Sequence, residues 1–117
     1  MLIRHLACHV ADPERSRDFY LQTIGLDAEA AVEPWGIRLE LPDGFMFALI
    51  RGEPVADGTD AVHFGCALDS PEEVRAIRER LRAAGVPEFE WWDEPGHRSC
   101  KVLDPDGYVV ELSYDPA

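Results

Sequence analysis

Little in this chain can act as a covalent staple. It has three cysteines in 117 residues, an odd number with no closely spaced pair, which argues against a disulfide framework. No stretch is long and apolar enough to span a bilayer. Arg4 and His5 interrupt the apolar start that a signal peptide needs, so the expectation is a cytoplasmic protein with no membrane partner. Basic residues are scarce too: 11 Lys and Arg stand against 23 Asp and Glu, a net charge of −12. Such a balance repels phosphate backbones and argues against nucleic acid as a partner. It is compatible with a cationic ligand, but the acidic residues are spread along the chain as on a solvated surface. What is present is 46% apolar residues, enough for the core of one compact domain or two very small modules.

The chain contains one unit twice. Arg4-His5-Leu6-Ala7-Cys8-His9-Val10 aligns with Val62-His63-Phe64-Gly65-Cys66-Ala67-Leu68. Leu41-Pro42-Asp43-Gly44-Phe45-Met46-Phe47-Ala48-Leu49 aligns with Asp104-Pro105-Asp106-Gly107-Tyr108-Val109-Val110-Glu111-Leu112. The first match is offset by 58 positions and the second by 63, a difference that loops absorb. His5 coincides with His63, and Ala48 coincides with Glu111. Two histidines and one carboxylate therefore occupy ligand-type positions, and a fourth slot holds alanine.

Each copy reads as strand, helix, then three strands, with module 1 over about 1–52, module 2 over about 60–117, and a Gly-, Pro- and Asp-rich linker at 51–60. Alternation in a first strand over 2–10 puts Leu6, Cys8 and Val10 on one face and His5, Ala7 and His9 on the other. In the second copy Val62, Phe64, Cys66 and Leu68 take the apolar face, and His63, Gly65 and Ala67 the opposite one. Small neighbours beside the histidines leave room for a ligand. Helices are expected over 13–24 and 71–84, started by Pro13 and Pro71 and stopped by Gly25 and Gly85. Phe19, Tyr20 and Ile24 in the first, and Val74, Ile77, Leu81 and Ala84 in the second, read as core. Pro-Asp-Gly closes a hairpin in each copy. Cys8 and Cys66 read as small buried hydrophobes, and Cys100 as a strand residue.

This layout resembles the vicinal oxygen chelate superfamily, which includes glyoxalase I, fosfomycin-modifying enzymes, bleomycin-resistance proteins and extradiol dioxygenases. The carriers are His5 in RHLACHVADPERSRDFY, Ile24-Gly25-Leu26, His63 in AVHFGCAL, and LDPDGYVVEL at 103–112. The resemblance implies an α+β fold: one domain over 1–117 of two tandem βαβββ modules whose mixed sheet curls around a metal-binding cavity. It implies His5, His63 and Glu111 as ligands of one divalent metal, with Fe(II) or Mn(II) favoured over Zn or Ni. It also implies a homodimer, with the site built within one chain or across two.

Two imidazoles and a carboxylate can fill one face of a six-coordinate ion and leave positions for a small substrate with adjacent oxygens. Ala48 can neither ligate nor move a proton, which sets the chain apart from glyoxalase I-like members with a carboxylate near this slot. The six residues after Glu111 leave no place for the phosphonate-binding arginine on the longer tail of fosfomycin-modifying members. The expectation is an enzyme, with ring-cleaving dioxygenation the leading reaction and lyase or isomerase chemistry the alternative. The rival class is a drug-sequestering binding protein, favoured by the acidic balance and the tryptophans. His9 shares the parity of His5 and suits proton transfer near neutral pH, or it is a rim residue. Arg38 and Lys101 face the same side by alternation and either bind an anionic substrate group or pair with nearby carboxylates. Trp35, Trp91 and Trp92 fall near strand ends, where a tryptophan stacks on a ligand or packs at a contact. His97 and Arg98 are weaker candidates in a mobile loop after Pro95-Gly96.

Overall fold

The same local devices start both helices. Asp12 and Ser70 are N-caps whose side chains accept from the main-chain N–H of Arg15 and Glu73, at 3.2 Å in each case, and Pro13 and Pro71 follow at the first helical position. The Glu73 carboxylate reaches back to the N–H of Asp69 at 3.1 Å, so the start of the second helix is held from both sides. The structure, a computed structural model, describes residues 1–116.

The first unit, Met1–Val55, holds β1 (His5–Val10), α1 (Pro13–Asp18) running on as a π-helical turn (Phe19–Ile24), β2 (Glu29–Glu33), β3 (Gly36–Glu40) and β4 (Met46–Arg51). Its sheet order is β1-β4-β3-β2, with β1 parallel to β4 and the other pairs antiparallel. The second unit, Ala56–Ala117, holds β5 (Phe64–Ala67), α2 (Pro71–Ala83), β6 (Glu88–Glu94), β7 (His97–Leu103) and β8 (Val109–Tyr114). Its order, β5-β8-β7-β6, repeats the first. Each unit is thus a βαβββ module, and the fold is α+β, as the resemblance implies.

The register proves the repeat residue by residue. Ala7 pairs with Ala48, and Ala48 with Arg38, in the first unit. Gly65 pairs with Glu111, and Glu111 with Lys101, in the second. Both Pro-Asp-Gly turns close through the same two bonds, Gly44 N–H to Leu41 O and Leu41 N–H to Phe45 O in one, and Gly107 N–H to Asp104 O and Asp104 N–H to Tyr108 O in the other. The neighbouring residues on each strand face a helix. Tyr20, Ile24, Ile37, Leu39 and Leu49 are buried in the first unit, and Val74, Leu81, Val102, Val110 and Leu112 in the second. Tyr20 meets Phe47 edge to face, with ring centres 5.0 Å apart. Leu112, fully buried, contributes about 1.5–3 kcal/mol by burial alone.

The elements depart from the sequence expectations at their ends. β1 begins at His5, because its partner β4 begins at Met46 and the residues before Met46 form the turn. β5 begins at Phe64, and Val62 is 91% exposed rather than on the apolar face. The expected helix over 13–24 changes hydrogen bonding at Phe19, and the Tyr20 carbonyl accepts from both Gly25 and Leu26. Ala84 is exposed at the end of α2 rather than core. His97 and Arg98 lie in β7 rather than a mobile loop: Glu94 pairs with His97, so only Pro95 and Gly96 form the turn. Among the described residues no helix is long and apolar enough to cross a membrane.

Gly36 opens β3 with φ +153°, and a Cβ there would lie 2.0 Å from the Leu49 carbonyl oxygen. Gly36→Ala is expected to destabilise the protein by about 3 kcal/mol. Gly85→Ala, at φ +78° with open space around it, is expected to cost about 1 kcal/mol. Urea unfolding of the two variants checks the difference; equal losses would refute the backbone clash.

Candidate functional site

In the second unit the register lays one row across four strands: Gly65, Glu111, Lys101 and Glu90. The absent side chain at Gly65 lets the strands carry Glu111 beside it, since a Cβ there would come within 3.2 Å of the Glu111 main-chain oxygen. Lys101 is the cation of this row. Its Nζ lies 2.8 Å from Asp60 Oδ2, 3.2 Å from Glu90 Oε1 and 3.8 Å from Glu111 Oε1. The hydrogen bond from Lys101 holds the Asp60 carboxyl below the usual carboxylate range. The same bond, with help from Glu90, raises the Lys101 ammonium.

His63 stands just before β5, and its orientation follows from one bond. Nδ1 lies 2.7 Å from the Asp60 main-chain oxygen. A carbonyl only accepts, so Nδ1 carries the proton and donates it. Nε2 then presents its lone pair in the neutral ring, and Glu111 Oε1 is 3.6 Å away, too far for a good hydrogen bond. Two electron-pair donors thus stand side by side, within reach of one cation. Two ligands of one ion at ordinary bond lengths stand roughly 3–3.5 Å apart, and this pair, of the donor type a divalent metal takes, stands just beyond that spacing at 3.6 Å. The bond to Asp60 is of the kind that fixes metal-binding imidazoles.

The equivalent row of the first unit is Ala7, Ala48, Arg38 and Ala31. Its one charged side chain, Arg38, lies 3.4 Å from Glu33 Oε1, and its Nε is buried with no hydrogen-bond partner. His5 and His9 are exposed on this face of β1, with His5 opposite Met46 and His9 opposite Ile50. The His9 ring lies over Gly52. Ala48 is buried and offers no donor.

Of the sequence candidates, the second unit brings together His63, Glu111 and Lys101, and the first carries His5, His9 and Arg38. Among the described residues no group of three or more His, Cys, Asp or Glu is close enough to hold a metal ion. Asp60 and Glu90 join the residues around Lys101. Glu90 was accessible to the alternation argument, as the β6 residue opposite Lys101; Asp60 lies in the linker, where no period applies. Trp91, Trp92 and His97 have structural partners, and Trp35 is exposed. Arg78 lies 4.4 Å over the Trp91 ring and is held by Glu88 at 2.6 and 3.2 Å. His97 Nδ1 lies 2.5 Å from Asp115 and its ring meets Trp92 at 5.8 Å. Arg98 pairs with Asp93.

The thiols belong to the other side of the sheet. Cys66 and Cys100 both pair with Leu112, one position off the row of Glu111. Burial, assisted by the Glu88 charge, pushes the Cys100 thiol up to about 12, and burial raises Cys66 as well.

Comparison with known proteins gives a consistent set. The family described as Glyoxalase/Bleomycin resistance protein/Dioxygenase superfamily matches residues 2–112. A trivalent organoarsenical cleaving enzyme of Bacillus sp. (strain MD1) is 29% identical over 121 residues, covering 97% of this chain and 73% of that protein. The structure of a possible glyoxalase from Bacillus cereus superposes with a TM-score of 0.80 at 25% identity, over 96% of this chain and 97% of that one. A fosfomycin resistance protein from Listeria monocytogenes shares the fold, with a TM-score of 0.77 at 24% identity over 99% and 93% of the two chains.

A thiol with a raised pKa is protonated at neutral pH and unreactive. In the folded protein at pH 8, Cys100 is therefore expected to resist iodoacetamide and to react in full once urea unfolds the chain, read by peptide mass spectrometry. Rapid alkylation of Cys100 in the folded protein would contradict the burial described.

Proposed function

The chain belongs to the Glyoxalase/Bleomycin resistance protein/Dioxygenase superfamily, the vicinal oxygen chelate group, and from that premise we propose that it is a divalent-metal-dependent enzyme acting on a small molecule with adjacent oxygens. Superfamily members typically use a divalent metal, bind small molecules and often form dimers. The observation that carries the proposal is the convergence of His63 Nε2 and Glu111 Oε1 at 3.6 Å, with Nδ1 committed to the Asp60 carbonyl. His5 is the third ligand of this reading, supplied by the first unit of the same chain or of a second copy in a homodimer.

The leading reaction is ring-cleaving dioxygenation with Fe(II) or Mn(II). When bound, the ion would accept adjacent substrate oxygens at its open positions and stabilise the negative charge developing on them. The chain's own residues do the rest. Arg38, with one ion pair at 3.4 Å and an unpartnered Nε, is the group of this reading that binds an anionic part of the substrate. Lys101 is taken up by Asp60 and Glu90, so it orders the carboxylates around the site instead of gripping substrate. His9 is the group of this reading that moves a proton. Ala48 leaves the first unit without the carboxylate that glyoxalase-type proton transfer employs, which puts lyase or isomerase chemistry second.

The relative that cleaves trivalent organoarsenicals suggests bond cleavage, but its substrate transfers poorly. Trivalent arsenic is soft and seeks thiolates, and Cys66 and Cys100 pair with Leu112, off the face of Glu111. A second reading, sequestration of a cationic drug, is favoured by the net charge of −12.

Elemental analysis of untagged protein separates the readings. The expected result is about one divalent ion per chain, lost in His5→Ala, His63→Ala and Glu111→Ala, with oxygen uptake on some catechol after anaerobic Fe(II) loading. Nickel or zinc in place of iron or manganese would redirect the reading to isomerase or lyase chemistry. Failure to take up any of these metals on reconstitution would sink the enzyme reading in favour of sequestration. Mixing His5→Ala with His63→Ala restores metal binding only if each site draws on two chains.

A further inference from the structure

Asp60 makes two contacts from one position. Its main-chain oxygen accepts from His63 Nδ1 at 2.7 Å, and its carboxylate takes Lys101 Nζ at 2.8 Å. We propose that Asp60 is a positioning residue for the ligand pair, fixing the imidazole through its carbonyl and holding the Lys101 ammonium off Glu111 through its carboxylate. The inference rests on the reading of His63 and Glu111 as metal ligands and adds a residue to it.

The distances support the second half of this role. Lys101 is bonded to Asp60 at 2.8 Å and paired with Glu90 at 3.2 Å, while Glu111 stands at 3.8 Å, beyond a hydrogen bond. An ammonium has three N–H groups. If Asp60 loses its charge, one of these is released, and Glu111 is the nearest acceptor left without a proton. An ammonium bound to Glu111 would occupy the lone pairs that a metal ion needs and would repel the ion as well. Asp60 therefore keeps Glu111 available by giving Lys101 a better partner. The first half is independent of charge, because the main-chain carbonyl persists whatever side chain stands at 60.

Mn(II) titration of the metal-stripped full chain, followed by the electron paramagnetic resonance signal of the free ion, tests this. Wild type should bind Mn(II), and His63→Ala should not. Asp60→Asn should weaken binding about tenfold. Lys101→Gln should bind at least as well as wild type. The double variant D60N/K101Q should bind within about threefold of K101Q, since Asp60 has no ammonium left to hold. If D60N costs the same factor with or without Lys101, only the bulk charge of Asp60 matters and the inference is overturned while the metal site stands. If wild type takes up no Mn(II) at all, the metal reading falls and this inference with it. Nitrogen-15 spectra of the metal-free protein supply the other readout: the Nδ1–H tautomer of His63 is expected in both wild type and D60N. An Nε2–H tautomer in wild type would overturn the orienting half. Melting temperatures of D60N and wild type should agree within a few degrees, because the substitution keeps size and shape.

Discussion

The parallel pairing of β5 with β8 in a single register is the constraint on which the rest of the second unit depends. Leu112 is fully buried between Cys66 and Cys100, and Glu111 is its neighbour on the opposite face. Side chains alternate along a strand, so a slip of one residue would carry a carboxylate into the core and a leucine out of it. The core thus enforces the site. Burial of Leu112 and Val110 against α2 selects the register, and the register places Glu111 beside Gly65 on one side and Lys101 on the other. Parallel strands need a crossover, and the run through α2, β6 and β7 supplies it, with α2 capped by Ser70 and opened by Pro71.

The two units show how one framework is given two electrostatic characters. Equivalent rows read Ala7, Ala48, Arg38, Ala31 in one and Gly65, Glu111, Lys101, Glu90 in the other. The backbone pairing is the same; only the charges differ. The second row, joined by Asp60, gathers three carboxylates around one ammonium, an excess of negative charge that suits a cation. The first row places a guanidinium among alanines with a single carboxylate near it, which suits an anion. A superfamily whose members typically use a divalent metal and bind small molecules has a use for both characters. Duplication followed by divergence at Ala48 and Glu111 and at Ala31 and Glu90 is a direct way to obtain them.

Much of this was legible in the sequence because it follows from short-range rules. The period of two sorts His5, Ala7 and His9 from Leu6, Cys8 and Val10, and the Pro-Asp-Gly turns mark the hairpins of β3 with β4 and of β7 with β8. The match of Ala48 to Glu111 came from aligning those turns, and the pairings bear it out. What escaped depends on partners distant along the chain. The start of β1 is set by where β4 begins. The role of Lys101 depends on Asp60, 41 residues earlier. His97 and Arg98 fall in β7 instead of a loop because Pro95-Gly96 marks a turn without revealing how tight it is. The reading of a lone histidine narrows only when one ring nitrogen has a partner, and for His63 that partner is a main-chain atom with no side-chain signature.

The last link runs through the linker. Linkers tolerate changes of length; a functional dependence on linker geometry therefore needs a device to fix it. Asp57 supplies one. Its carboxylate accepts from the N–H and the hydroxyl of Thr59, at 3.0 and 2.8 Å, and the Thr59 hydroxyl in turn accepts from the N–H of Ala61 at 3.3 Å. These bonds lock the chain on both sides of Asp60, immediately ahead of His63. The same hydrogen bonds, that of the hydroxyl foremost, hold the Asp57 carboxyl below its ordinary range, so the turn keeps its charged acceptor throughout neutral and mildly acid pH. Protonation of Asp57 at strongly acid pH would weaken these bonds as pH falls through its depressed value, and the orientation of Asp60 would loosen with them. The order of causes is then complete: a local turn fixes Asp60, Asp60 fixes His63 and Lys101, and the buried register of β5 and β8 brings Glu111 to meet them.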